Sequence, residues 1–292
     1  MAYAVRNFRS YLRRHALLSI FNSVMVHNMA GSSLFATALF TAVILAGIPL
    51  DAAEPSMAAA AKFRTYIDTV ESRLAFQRGD PAEFLASEDT GRLRRGELII
   101  EKLAPDSQNV FPGAMLHHWR GTAFVPGASA ADFDGLMKNF SAYPQVYAPE
   151  VTQARILSHE GGHFQVQMRV RQKHVLTVVL DTSYDVSFGH LDAKHGFSTS
   201  RSTRVAEIAN AGSAEEHALS DAESHGFLWR LNTYWSSEER DGGLYIQIES
   251  VSLTRSIPTG LGWVIGPFVE SVPRESLEFT LRATSNALRR QR

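Results

Sequence analysis

The stretch Phe164-Gln165-Val166-Gln167-Met168-Arg169-Val170-Arg171 alternates apolar and polar side chains without interruption. Because successive side chains of a β-strand point to opposite faces, this alternation predicts a strand with one covered face. Other segments have similar patterns, several are joined by short turns, and Asp241-Gly242-Gly243 is a strong hairpin signal. Their ranges are 97–103, 115–125, 151–158, 175–188, 193–208, 227–238 and 244–255. We therefore expect a long, curved antiparallel sheet.

A helix is predicted between the second and third of these strands. Ser129 can cap it, and four apolar residues follow at i, i+3, i+4 and i+7 spacing, which places them on one helical face. They are Phe133, Leu136, Met137 and Phe140.

A second helix is predicted over residues 274–290, after the last strand. Pro273 opens it, and its acidic residues come early and its arginines late, an order that suits the helix dipole. Its main apolar stripe comprises Leu277, Leu281 and Leu288, with Phe279 on an adjoining face. A helix that is apolar on more than one side needs cover from more than one direction.

The N-terminal third divides into three parts. Residues 34–48 form an apolar run of 15 residues with basic residues far upstream and small residues after it, which indicates a signal peptide within residues 1–53. We expect export to a periplasm; an uncleaved membrane anchor is the alternative. Residues 54–95 are expected to be a helical extension, with an amphipathic helix over 58–77, and a polar connector. Residues 96–292 form the main domain.

The composition excludes several functions. The chain has 292 residues, 45% hydrophobic and 20% charged, which is typical of a globular protein. Its formal net charge of -1 provides no positive field for phosphates, so no nucleic-acid partner is expected. The absence of cysteine excludes disulfides, thiolate zinc sites and cysteine nucleophiles.

The string His159-Glu160-Gly161-Gly162-His163 matches the His-Glu-x-x-His motif of zinc peptidases. That chemistry needs a continuous helix, whereas two adjacent glycines would each cost a helix about 1 kcal/mol. Both flanks alternate with the period of a strand, so the glycines indicate a hairpin tip. A zinc metallopeptidase remains a remote alternative, and we expect no metal, no cofactor and no catalytic residue from the sequence.

Two segments resemble a known superfamily. Residues 137–151 (MKNFSAYPQVYAPEV) are similar to the helix end and aromatic-proline turn that precede the second strand of START-like, or SRPBCC, proteins. The tail from Ser256-Ile257-Pro258 through the last helix is similar to the closing loop and gripping helix of that superfamily. The resemblance implies an α+β helix-grip fold, in which a long antiparallel sheet wraps around a C-terminal helix.

The same resemblance implies a cavity between sheet and last helix for a lipid, sterol-like, quinone or polyketide-like molecule. We therefore expect a monomeric binding or carrier protein for an apolar small molecule, with transient contact to a membrane surface. The apolar segment 257–269, interrupted by glycines and prolines, is interpreted as a hinge or lid; packing at the sheet end is the alternative.

Nine residues are candidates for binding such a ligand. Arg230, Tyr234 and Glu249 lie on strand faces that mix polar and aromatic groups, as ligand cavities do; the alternative is a solvated outer face. An enzyme of the cyclase or hydrolase kind would use these three groups. The other candidates are Trp119, Tyr147, Trp263, Leu277, Phe279 and Leu281.

Overall fold

The computed structural model describes residues 54–86, 89–104, 111–173, 177–257 and 262–291, and of 262–270 the backbone alone. The helices are α1 (Met57–Gln77), α2 (Thr90–Arg94), α3 (Ala130–Lys138), α4 (Tyr143–Val146) and α5 (Gly262–Arg290), with a 3-10 turn at Phe140–Ala142. The strands are β1 (Ile99–Lys102), β2 (Ala114–Pro126), β3 (Val151–Glu160), β4 (His163–Lys173), β5 (Thr177–His190), β6 (His195–Ala209), β7 (His217–Ala218), β8 (Arg230–Arg240) and β9 (Gly243–Arg255).

The strands form one antiparallel sheet in the order β1-β2-β9-β8-β6-β5-β4-β3, and the short β7 pairs with the end of β6. Every predicted strand is present within a few residues of its expected bounds, because the alternation and the turn residues are local signals. β7 was not predicted. With α5 packed against the sheet, the arrangement is a helix grip, and the predicted fold class is confirmed.

The face of the sheet that carries α5 is called the inner face here. Its main cluster joins apolar side chains of β2, β8 and β9 to α3 and to the C-terminal half of α5. Gly121 allows α5 to approach the sheet closely, since a Cβ there would lie 2.6 Å from Cδ2 of Leu277 and 3.1 Å from Cδ2 of Leu281. The predicted cap of α3 is also present, as Ser129 and Asp132 form a reciprocal capping box.

The last helix is longer than predicted. It begins at Gly262 rather than at Arg274, so that Pro267 and Pro273 lie inside it. A proline removes one hydrogen bond and crowds one carbonyl, which kinks a helix without always ending it. Of the segment interpreted as a lid, residues 262–269 are helical, and 258–261 lie outside the described residues.

The opposite, outer face is covered by α1 over β2, β8 and β9. The predicted amphipathic stripe of α1 packs there together with Trp229, Val251 and Leu253. The stripe consists of Phe63, Ile67, Val70 and Leu74, all buried. The extension and the sheet thus share one packed cluster, and the described part of the connector contains one short helix, α2. None of the helices in the described ranges is long and apolar enough to cross a membrane.

Candidate functional site

The inner face is apolar at its two ends. One end is the cluster of β2, β8, β9, α3 and α5, and the other joins β4 and β5 to α4 and to Phe279. Tyr147 closes the second end: its hydroxyl lies 3.0 Å from Oγ1 of Thr284 on α5. Burial raises the pKa of Tyr147 to about 12, so this phenol stays neutral and acts as a hydrogen-bonding group.

Between these ends the inner face carries small hydroxyl side chains. Ser250 and Ser252 follow Ile248 at every second position of β9, so they point to the same side as Ile248. The register pairs Ser250 with Thr233 of β8, and Thr233 with Ser200 of β6. We call this group the hydroxyl patch. It comprises Ser198, Ser200, Thr233, Ser250 and Ser252.

The hydroxyls of the patch are not used by the protein itself. Within the described part of the chain, none of the five makes a side-chain hydrogen bond, and none is a buried polar atom without a partner. Ser200, Thr233 and Ser250 keep partial solvent accessibility although they sit in the middle of a sheet covered by α5. Solvent therefore reaches the patch at these three positions.

Aromatic and aliphatic side chains surround the patch. Trp119 is the cross-strand partner of Ser250 and is partly buried against the inner cluster. Leu277 and Leu281 are buried over Gly121. Trp119, Tyr147, Leu277, Phe279 and Leu281, five of the predicted site residues, thus belong to the inner side of the molecule.

One histidine adjoins the patch. His117 pairs with Ser252, and its Nε2 lies 3.1 Å from Oγ1 of Thr254. Burial, assisted by the positive charge of Lys102, lowers the pKa of His117 to about 4, so the imidazole is neutral at physiological pH. The residues of the patch and His117 were missed by the sequence reasoning, although serines at alternate positions of β6 and β9 were a visible signal.

Arg230, Tyr234 and Glu249 do not face the space beneath α5, where a bound ligand was expected. They share the outer face with Val251 and Leu253, which pack against α1 on the side away from α5. The sequence alternation correctly grouped them on common faces, but alternation cannot tell which face meets the last helix. Tyr234 and Glu249 are not solvated either, because α1 covers them, whereas the Arg230 side chain is partly exposed.

These outer polar groups form ion pairs beneath α1. Glu249 accepts hydrogen bonds from both terminal nitrogens of Arg73, and its Oε2 lies 3.0 Å from Nε2 of His118. The other ring nitrogen of His118 lies 2.9 Å from the hydroxyl of Tyr66. Although burial opposes ionisation, the bonds to His118 and Arg73 lower the pKa of Glu249 to about 2.

A second set binds the same helix to β6 and β8. Arg201 makes two hydrogen bonds of 2.6 Å to Glu71, which also accepts a 2.9 Å bond from the hydroxyl of Tyr234. Arg230 lies farther along, 3.1 Å from Glu54. The groups once expected to orient a ligand thus hold the extension on the sheet.

The zinc motif lies at a hairpin tip, as its glycines indicated. β3 ends at Glu160, β4 begins at His163, and Gly161 has a positive φ of 57°. His159 stacks on the ring of Phe164 at 4.0 Å, and His163 contacts Ser187 at 3.1 Å. Among the described residues no group of three or more histidines, aspartates and glutamates is placed to hold a metal ion. Because His159 and His163 lie on two strands that flank this turn and not on one face of a helix, the metallopeptidase alternative is wrong.

The side chain of Trp263 lies outside the described residues, so its predicted contact with a ligand stays a prediction. The same holds for the leader at residues 1–53 and for the expected export.

Comparisons with known proteins concern the fold. No protein-family model and no curated protein matches the chain. The chain is similar to the structure of TTHA0849 from Thermus thermophilus, with 13% identity and a TM-score of 0.43 over 59% of this chain and 97% of that chain. It is also similar to a STAR-related lipid transfer protein from Xanthomonas axonopodis, with 17% identity and a TM-score of 0.41 over 65% and 98% of the two chains. The Zhui aromatase/cyclase from a Streptomyces species has 17% identity and a TM-score of 0.38 over 61% and 96%.

Proposed function

We propose that this protein binds and carries a largely apolar small molecule in the space between the inner face of the sheet and α5. The observation that carries the proposal is the hydroxyl patch, whose side chains have no hydrogen-bond partner within the described protein and of which Ser200, Thr233 and Ser250 keep partial solvent accessibility. A buried hydroxyl left without a partner costs roughly 1–3 kcal/mol, so these groups must meet water or a ligand.

The lining fits such a ligand. Small-molecule sites are concave and mainly apolar, with a few polar groups that orient the molecule. Here the half-buried Trp119 and Phe279 supply apolar surface on two sides of the patch, and the patch supplies the polar groups. Binding would remove this apolar surface from water, worth about 25 cal/mol per Å².

Carriage is proposed rather than catalysis. The polar groups that a cyclase or hydrolase was expected to use lie on the outer face, where α1 separates them from any molecule bound below α5. Export is part of the same proposal and rests on the leader-like residues 1–53 alone.

Native mass spectrometry of gently purified protein, followed by thermal shifts with a panel of neutral lipids, tests the proposal. Ser250→Phe fills the proposed space, and Ser187→Phe places the same ring at an exposed position of β5 as a control. We expect a co-purified molecule, or a raised melting temperature, in the wild type and in Ser187→Phe but not in Ser250→Phe. The proposal would be refuted if the purified wild type contained no ligand and its melting temperature did not change with any lipid of the panel.

A further inference from the structure

The hydroxyl patch also restricts the chemistry of the molecule that it meets. Ser200, Thr233 and Ser250 are successive cross-strand partners, so their side chains form a row with steps of about 5 Å. Ser198 and Ser252 lie beside the two ends of this row, two residues along β6 and β9 and on opposite sides of it. Each hydroxyl can donate one hydrogen bond and accept others.

The immediate neighbours of the patch on the inner face are uncharged side chains. They include Trp119, Val186, Leu231, Trp235 and Ile248. His117 beside Ser252 is neutral at physiological pH because burial lowers its pKa to about 4. Lys102 lies one strand farther out, on β1, and is exposed. An ionised headgroup placed on the patch would therefore lose its hydration without meeting an opposite charge from these adjoining side chains.

A plain hydrocarbon is also a poor fit. It would displace water from the row of hydroxyls and provide no hydrogen bond in return, and ligands that leave polar groups of a site unpaired bind more weakly.

From this geometry we infer that the preferred ligand is uncharged and carries several hydrogen-bonding oxygens along one edge, which bind Ser200, Thr233 and Ser250. The inference rests on the proposed function and specifies its ligand class. The opposite edge of the ligand faces the apolar side chains of α5.

Displacement of the hydrocarbon fluorophore diphenylhexatriene by two compounds with the same three-ring skeleton tests the inference. Anthracene has no oxygen, and dihydroxyanthrone with both hydroxyls beside its single carbonyl has three oxygens along one edge and a methylene on the opposite edge. The test variant, Ser200→Ala/Thr233→Val/Ser250→Ala, removes three hydroxyls with little change in shape. Its matched control is Thr199→Val, the same kind of change on the outer face of β6 next to Ser200.

Each hydrogen bond lost corresponds to about a fivefold change in affinity. We expect the wild type and Thr199→Val to bind the oxygenated compound at least about tenfold more tightly than anthracene. The triple variant should lose at least about tenfold for the oxygenated compound and keep its affinity for anthracene within about twofold. Near-ultraviolet circular dichroism confirms that each variant is folded.

If the wild type and the triple variant prefer the oxygenated compound over anthracene to the same extent, the inferred ligand class is overturned. The proposed function still stands in that case, because binding itself is observed. If the wild type binds neither the fluorophore nor either compound, the proposed function is overturned and the inference fails with it.

Discussion

Replacing Glu249 by glutamine should destabilise the protein in a manner that depends on pH. The carboxylate of Glu249 is almost fully buried beneath α1 and binds Arg73 and His118. Glutamine keeps the size of the side chain and one carbonyl acceptor but removes the charge. At pH 7 we expect a loss of about 3 kcal/mol in the free energy of unfolding, the usual cost of breaking a buried ion pair.

The pH dependence follows from the pKa of this carboxyl. It is about 2 in the folded protein, against an ordinary value of 4.5. Because the folded-state pKa is the lower one, the charge stabilises the fold fully above about pH 5, and this contribution is lost as the pH falls toward 2. A shift of this size corresponds to about 3 kcal/mol at pH 7 and about 1 kcal/mol at pH 3.

Urea unfolding of wild type and Glu249→Gln at pH 7, 5 and 3 measures the effect. Glu160→Gln, at the exposed tip of the β3–β4 hairpin, is the matched control and should follow the wild type throughout. The difference between wild type and Glu249→Gln should shrink by about 2 kcal/mol from pH 7 to pH 3. A difference that stays constant over this range would show that the ion pairs beneath α1 are not as described.

Three further substitutions probe other parts of the structure. Gly121→Ala should lower stability by about 1–3 kcal/mol in chemical denaturation, since its Cβ would collide with Leu277. In the control Gly135→Ala, in α3, the new Cβ meets no other atom, and stability should rise by up to about 1 kcal/mol. Equal effects of the two substitutions would contradict the close approach of α5. Ile67 is buried in the contact between α1 and the sheet, so Ile67→Ala should lower the free energy of unfolding by about 2–4 kcal/mol. Met57 is 91% exposed, so the control Met57→Ala should leave the melting temperature nearly unchanged. An Ile67→Ala protein as stable as wild type would mean that α1 is not docked on the sheet. Burial raises the pKa of Glu150 to about 7, so its charge opposes folding increasingly from pH 4.5 to 7. Glu150→Gln should therefore stabilise the protein by about 1–2 kcal/mol at pH 8 and by little at pH 4. A larger stabilisation at pH 4 than at pH 8 in denaturant titrations would refute this.

Local periodicity predicted much of the fold. The eight longer strand segments, the capped helix at Ser129 and the glycine hairpin at 161–162 follow from the period of side chains, capping chemistry and turn residues, which depend on neighbours in sequence. The helical start at Gly262 did not follow, since Pro267 and Pro273 are local signals against a continuous helix that the folded protein nevertheless forms.

The site was predicted only in part. Alternation shows that Glu249 and Ser250 point to opposite faces, but it contains no information on which face meets α5. Arg230, Tyr234 and Glu249 were therefore predicted in place of the small hydroxyls of the inner face, although all three lie on the outer face. The covering of the outer face by α1 depends on contacts between residues far apart in sequence, such as Arg73 with Glu249.

The position of α1 divides the sheet into two mechanically different halves. β8 and β9 have a helix packed on each face, so bending them would separate two sets of buried contacts at once. The outer face of β3 and β4 presents mainly exposed or half-buried polar side chains such as Gln153, Arg155 and Gln165. If a ligand binds below α5 as proposed, we expect the β3–β5 half to bend outward at a lower cost than β8 and β9, which α1 covers from the outer side.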